Sequence, residues 1–456
     1  MTIGRREFLK LGILASAYGL GQLGRRSAGR AFAIGSDVPA ARCIGGYGPL
    51  VPTPEEDTGE LAFAMPTGFK YRIFGRVGDP LADGRLTPPA HDGMASFLVD
   101  GKIRIVRNHE VSPRGVCVAA PAHSFDPSAA GGTTTLVIDP TLRRLERAWI
   151  SLSGTTKNCA GGPTPWGAWI SCEESTDGVA RFTDATGAEH GGFEREHGYC
   201  FEVPARADDV RRAEPIRAMG RFVHEAIAID PATGIVYETE DWPTAGLYRF
   251  IPRQPQDLHA GGQLEMLAVT DHPGFDARTG QVAGVVRNCH WVPIADPDPV
   301  PAELRPQAVY EQGKALGAAT FSRLEGCWYG DGSIFVTATD GGDAKLGQVW
   351  RYTPRGADHG ELTLVFESRS AAVLQNPDNL CVSPRRALVL CEDCLNVQYM
   401  RGLTATGEIF DLVRNLKFNT EFCGVNFSPD GETLFFNLQT PGMTVAMWGD
   451  WRRGVL

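Results

Sequence analysis

Short runs in which apolar and polar residues alternate recur along most of the chain, and long helical stripes are hard to find. Alternation with a period of two is the signature of a strand with one buried face. Six stretches share one grammar: a polar or acidic residue, a short strand, a turn, a second strand, and another acid. They read "HDGMASFLVDGKIRIVRNHE" (91–110), "NCAGGPTPWGAWISCEE" (158–174), "HEAIAIDPATGIVYETED" (224–241), "RLEGCWYGDGSIFVTATD" (323–340), "NPDNLCVSPRRALVLCED" (376–393) and "EFCGVNFSPDGETLFFNLQ" (421–439). Asp100-Gly101, Thr233-Gly234, Asp331-Gly332 and Asp430-Gly431 supply hairpin turns, since glycine, and to a lesser degree aspartate, tolerates the positive φ that tight turns demand. The flanks, such as "KIRIV" and "SIFVT", are β-branched and aromatic.

A hairpin cannot bury its apolar face alone. Radial repetition lets each one pack on its neighbours and leaves only short edges. The expected fold is therefore all-β, a six-bladed β-propeller with loop insertions. Chance hairpins in a β-sandwich are the competing arrangement, but a sandwich gives no reason for acids at both hairpin ends. The first strand of each blade should line a central channel. His91, Asn158, Cys159, Glu225, Glu325, Asp378 and Glu421 would then meet at one mouth, with Glu110, Glu173, Glu174, Glu240, Glu392 and Asp393 close by. The segment 252–320, rich in Pro, Gln, Asp and Gly, is expected as an insertion near that mouth. A strand from "GFKYRIFGRV" (68–77) is expected to close the ring against the last blade.

Composition sharpens this picture. With 54 glycines and 31 prolines the chain is turn-rich. A net charge of −10 argues against nucleic acid and against an anionic membrane surface. The 11 cysteines are odd in number and lack the regular spacing of a disulfide framework. Cys391 and Cys394 form a CxxC with no second copy to complete a zinc site. At the N terminus, Arg5-Arg6 precedes Phe8-Leu9-Lys10, a weakly apolar Gly-rich run and Ala31-Phe32-Ala33. That order reads as a twin-arginine signal peptide over 1–33, followed by a single catalytic domain over 34–456. No later segment approaches the roughly 18 uninterrupted apolar residues of a membrane span, so no membrane anchor is expected in the exported form.

A ring of carboxylates is untenable without cations, because like charges at close range cost several kcal/mol. Carboxylate and amide oxygens suit calcium, whereas a thiolate prefers a softer metal such as iron. Cys159 between Asn158 and Ala160-Gly161-Gly162 has backbone room for close metal approach. Taken alone, a buried cysteine is more often inert core; its place beside the pair Glu173-Glu174 favours a ligand. Arg323, two residues before Glu325, can either pair with a carboxylate or clamp an oxyanion. Lys157 and Asn158 are further candidates for handling substrate. His91 and His224 can serve as proton donors or as support for a ligand.

Together, the twin-arginine leader, "VRNHE", "GGTTTL", "NCAGG…PWG.W..CEE", "GRF.HEA", "RLEG", "NPDN" and "FSPDG..LF.N.Q.PG" resemble the PhoX-type alkaline phosphatases, in family order from about residue 60 to about 450. Each motif alone is weak; the ordered set is specific. The resemblance implies a six-bladed propeller with paired ferric ions (Fe3+) and calcium ions (Ca2+), hydrolysing phosphomonoesters in the periplasm. It further implies that Cys159 bridges the irons, that Glu173, Glu174, Glu225, Glu325, Glu392 and Asp393 are ligands, and that Arg323 holds phosphate. The repeat grammar adds Asp378, Glu110 and Glu421 to the metal set. Expected partners are small phosphate esters and, transiently, the twin-arginine translocase, with the chain a monomer. Lys157 stands where a neutral polar residue is expected before Asn-Cys. Two other readings fit the residues: a calcium-dependent propeller lactonase or esterase, and a non-catalytic metal-binding propeller.

Overall fold

All six expected hairpins form. His91–Val99 pairs with Lys102–His109, Asn158–Pro163 with Ala168–Glu173, and His224–Ile229 with Val236–Glu240. Leu324–Gly330 pairs with Ser333–Ala338, Pro377–Val382 with Leu388–Glu392, and Phe422–Phe427 with Thr433–Leu438. The coordinates are a computed structural model in which residues 45–112, 114–184, 187–394 and 397–456 are described. The leader expected over 1–33 lies outside the described residues.

Asp100-Gly101 and Asp331-Gly332 have positive φ at both positions, the two-residue turn their sequence calls for. At Asp230 and Asp430 the loops are longer. There the aspartate side chain accepts hydrogen bonds from the following turn and so takes over the bending.

The molecule is all-β with a propeller-like arrangement of its sheets, and one α-helix, Ala308–Ala315, occurs among the described residues. The first strands of the six hairpins pack against one another in a closed circuit, in chain order, with Phe422–Phe427 returning to His91–Val99. Sheets and hairpins do not correspond one to one. The third and fourth hairpins share a nine-stranded sheet, because Val286–Pro293 pairs with Asp257–Val269 on one side and His359–Glu367 on the other.

Segment 252–320, expected as an insertion near the mouth, thus contributes the sheet strands Asp257–Val269 and Val286–Pro293. Its "QLEMLAV" buries six successive residues, Leu264 to Val269, so both faces of the strand are covered and its apolar run is that of a fully buried strand. Its last part does reach the acidic end of the ring, where Gln307 donates to Glu240 (Nε2–Oε1 2.9 Å). The expected closing strand is Lys70–Phe74, which pairs antiparallel with Met443–Trp448 beside the last hairpin.

Along the axis the inner strands nearly touch. A Cβ on Gly93 would lie 2.5 Å from the Ala160 Cα, so only glycine fits there. Gly93, Ala160, Ala226, Gly326 and Gly424 line a residual axial cavity of about 20 Å3, room for about one water. The tunnel is filled by backbone, and chemistry is confined to its rim.

Candidate metal centre

The rim is built by one local device used six times. Each inner strand slips register just after its opening residues: between His91 and Met94, Asn158 and Gly161, His224 and Ile227, Leu324 and Cys327, Pro377 and Leu380, and Cys423 and Asn426. A bulge bends the strand and re-aims a side chain. The second residues of these strands are Asp92, Cys159, Glu225, Glu325, Asp378 and Cys423, each fully buried. Ala90, Lys157, Arg323 and Asn376, which immediately precede four of the strands, all adopt positive φ. Such strained backbone persists only where the surroundings enforce it, and it collects at functional sites.

The second strands add acids just past their ends, at Glu110, Glu174, Asp241 and Asp393. The ligand-type atoms of Cys159, Glu174 and Glu225 lie within 4.8 Å of one another, and Glu225 shares a second such group with Asp241 and Glu325. Glu421 joins Asp92 and Glu110 in a third group and Asp378 and Asp393 in a fourth. Lys157 links the two halves. Its Nζ lies 3.0 Å from Glu174 Oε2, and although burial opposes its charge, Glu174 and Glu110 outweigh that and raise its pKa.

Arg323 is held bidentately by Asp241 (2.9 and 3.1 Å) and also bonds Glu325 (2.6 Å), contacts that use Nε and Nη2. Burial works against this guanidinium, but the two carboxylates keep it charged. Burial, reinforced by Glu225 and Glu174, pushes the Cys159 thiol far up.

Several expected residues are not brought into these groups, and strand alternation explains the acids among them. In each pair Glu173-Glu174, Glu240-Asp241 and Glu392-Asp393 the second acid faces the rim and the first turns away. Glu173 accepts from His197 Nδ1 (2.6 Å) and from the backbone N–H groups of Thr156, Gly198 and Tyr199. Glu240, raised by burial to about 8, accepts from Gly246, Tyr248 and Gln307. Glu392 is bound by Arg401, Gln375 and Tyr399.

Asn158 accepts from Thr155 and donates to Ser171, bracing its own turn. The His91 Nε2 lies 3.1 Å from the Pro88 carbonyl and the His224 Nε2 3.1 Å from that of Gly220, so both rings are tied to backbone.

Two rim acids escaped the sequence reading: Asp92, beside the chosen His91, and Asp241, beside the chosen Glu240. Aligning the six copies on their strands would have exposed both, since Asp92 occupies the position of Cys159 and Glu225.

The groups hold nine carboxyls and one thiol, and their named ion-pair partners are Lys157 and Arg323. Carboxylates crowded out of water repel one another strongly and require cations. A donor set of many hard oxygens with one sulfur fits hard divalent ions together with a thiophilic one. Next to this rim, through Thr156, opens a cavity of about 360 Å3 lined also by Arg114, Arg181, Phe182 and His190.

The family model "Alkaline phosphatase PhoX" matches residues 45–442. Pseudomonas fluorescens PhoX, solved in complex with vanadate, a transition state analogue, superposes with a TM-score of 0.68 at 17% identity, covering 91% of this chain and 99% of that one. A Xanthomonas campestris gluconolactonase gives a TM-score of 0.41 at 12% identity, with 88% and 97% covered. No curated protein matches the sequence. With its family model spanning nearly all the described residues, the chain belongs to the PhoX alkaline phosphatase family and is a phosphatase.

Proposed function

We propose that the protein hydrolyses phosphate monoesters at a mixed iron–calcium centre on the rim of a six-bladed ring. The observation that carries this reading is the sharing of Glu225 between the group containing Cys159 and the group containing Asp241 and Glu325. A sulfur donor and a row of carboxylates in direct contact call for two kinds of cation, which a calcium-only lactonase would not need. The six-bladed count draws support from the closed circuit of six first strands.

Cys159, Glu174, Glu225, Asp241 and Glu325 would hold one set of ions, and Asp92, Glu110, Asp378, Asp393 and Glu421 the other. When bound, such cations polarise a phosphoryl oxygen and lower the pKa of coordinated water.

The chain's own residues supply the rest. Lys157, kept charged by Glu174 and Glu110, offers a point charge to a phosphoryl oxygen. Arg323, pinned by Asp241, is preoriented to donate to a second oxygen through Nη1. Fixing both cations before substrate arrives reduces the reorganisation needed in the transition state. The 360 Å3 cavity beside Thr156 is placed to receive the alcohol portion of the ester. Export by the twin-arginine route as an already folded protein, and work in the periplasm as a monomer, complete the reading. Among the described residues no helix is long and apolar enough to cross a membrane.

Elemental analysis combined with Cys159→Ser tests it. Native protein should contain iron and calcium, and the variant should lose iron together with far more than the 10–100-fold activity typical of an outer-sphere change. Iron-free protein with full phosphatase turnover would sink the proposal.

A further inference from the structure

Behind Cys159 lies a second cluster that the phosphatase reading does not use. Cys172 (Ala168–Glu173) and Cys200 (Cys200–Pro204) are cross-strand partners with their sulfurs 3.6 Å apart. His224 opens the next inner strand, and its Nδ1 lies 3.5 Å from Cys200 Sγ and 3.5 Å from Glu238 Oε2. All four side chains are 0% exposed. The ligand-type atoms of Cys200, His224 and Glu238 lie within 4.8 Å of one another.

Two independent observations point to a ligand. Neither carboxylate oxygen of Glu238 has a hydrogen-bond partner, although the group is fully buried and directed at His224; a carboxyl so placed ordinarily binds a partner or an ion. The His224 ring is also oriented as metal-bound imidazoles are. Its Nε2 lies 3.1 Å from the Gly220 carbonyl, a donor's position, which turns the Nδ1 lone pair toward Cys200 and Glu238.

The spacings of His224 Nδ1 to Cys200 Sγ and to Glu238 Oε2 agree with one tetrahedral ion. Zinc–sulfur, zinc–nitrogen and zinc–oxygen bonds of about 2.3, 2.05 and 2.0 Å require ligand separations of about 3.8 Å (S···S), 3.5 Å (S···N) and 3.3 Å (N···O). The S···N and N···O distances here are both 3.5 Å, whereas Cys172, 3.6 Å from Cys200, stands outside the group.

We propose that Cys200, His224 and Glu238 form a buried three-donor site for a thiophilic divalent cation of the zinc class. A thiolate, an imidazole and a carboxylate suit a borderline-soft ion better than calcium. With no solvent exposure of any donor the site is structural. It joins the strand outside the second hairpin to both strands of the third hairpin. The backbone separates it from the rim: Cys159 Sγ lies 3.4 Å from the His224 carbonyl and 3.9 Å from that of Cys172.

The test is elemental analysis and zinc-edge X-ray absorption on folded, full-length protein, beside Cys200→Ala and Cys159→Ser. The expected result is about one zinc per chain with a sulfur neighbour at about 2.3 Å, retained in Cys159→Ser and lost in Cys200→Ala. Four results would overturn the assignment. They are zinc-free native protein, zinc with no sulfur neighbours, zinc retained in Cys200→Ala, and a Cys172–Cys200 disulfide revealed by two missing thiols on titration in denaturant. Should Cys200→Ala fail to fold, the absorption spectrum and thiol count of the native protein decide. None of these readouts measures phosphate-ester hydrolysis, so the phosphatase reading stands or falls separately.

Discussion

At the residue scale, adjacent acids do different work. Glu174 faces the rim against Lys157, whereas Glu173 faces away and binds His197. Glu174→Gln should therefore lose metal and activity while the fold persists. Glu173→Gln should instead lower stability by about 1–3 kcal/mol, the cost of weakening a buried hydrogen-bonded charge pair. Calorimetry and assays on the same preparations separate the two outcomes.

His197 also sets a pH dependence. Burial works against its charge, but Glu173 and Asp126 outweigh that and hold its pKa at about 9, against 6.5 for the free group. A raised pKa means the stabilisation is complete below 6.5, declines above it, and is gone above about 9. The melting temperature of the native protein, followed from about pH 6 to pH 10, should contain this decline, and His197→Gln should remove it.

At the element scale, the hairpins were legible because paired short apolar runs recur in every copy and turn chemistry marks four of the six. Which acid of each pair faces the rim was not legible, because it depends on strand register, and a shift of one residue exchanges the two faces. Asp92 was legible on aligning the copies, where it shares the position of Cys159 and Glu225, but the bulge that aims it is a property of pairing, not of composition. The strands within segment 252–320 were not legible because its polar composition concealed the buried run at the end of Asp257–Val269.

The bulges work only if the strands can approach closely. Gly93→Ala would push a methyl into the Ala160 backbone 2.5 Å away. Overpacking of that kind should cost about 1–3 kcal/mol. A shift of the denaturant midpoint measures it, and activity should fall as well because Asp92 is the preceding residue. An unchanged midpoint would mean that the inner strands are not crowded at the axis.

At the scale of the whole molecule, stability and cation binding are coupled. Nine carboxyls share one rim, so removing cations with a chelator should lower the melting temperature, and restoring them should recover it, as linkage requires. The ring also depends on its seam. Tyr71 in Lys70–Phe74 is fully buried, packs edge-on to Phe63, and bonds Ala62 N and Glu60 O through its hydroxyl. Tyr71→Ala should cost about 3–5 kcal/mol, the range for emptying a buried aromatic site, read as earlier thermal unfolding of the entire molecule and not of one blade.

That seam has a consequence for how the chain is made. During synthesis Lys70–Phe74 emerges early and its partner Met443–Trp448 very late, so the early strand waits with an open edge while every intervening hairpin is produced. Such an edge invites pairing with other chains. The strand reads "KYRIF", and its Lys70 and Arg72 are charges of the type that guard exposed edges. Pairing so distant in sequence also makes the last docking event slow, so a nascent molecule must stay soluble as an open arc before it can become a circle.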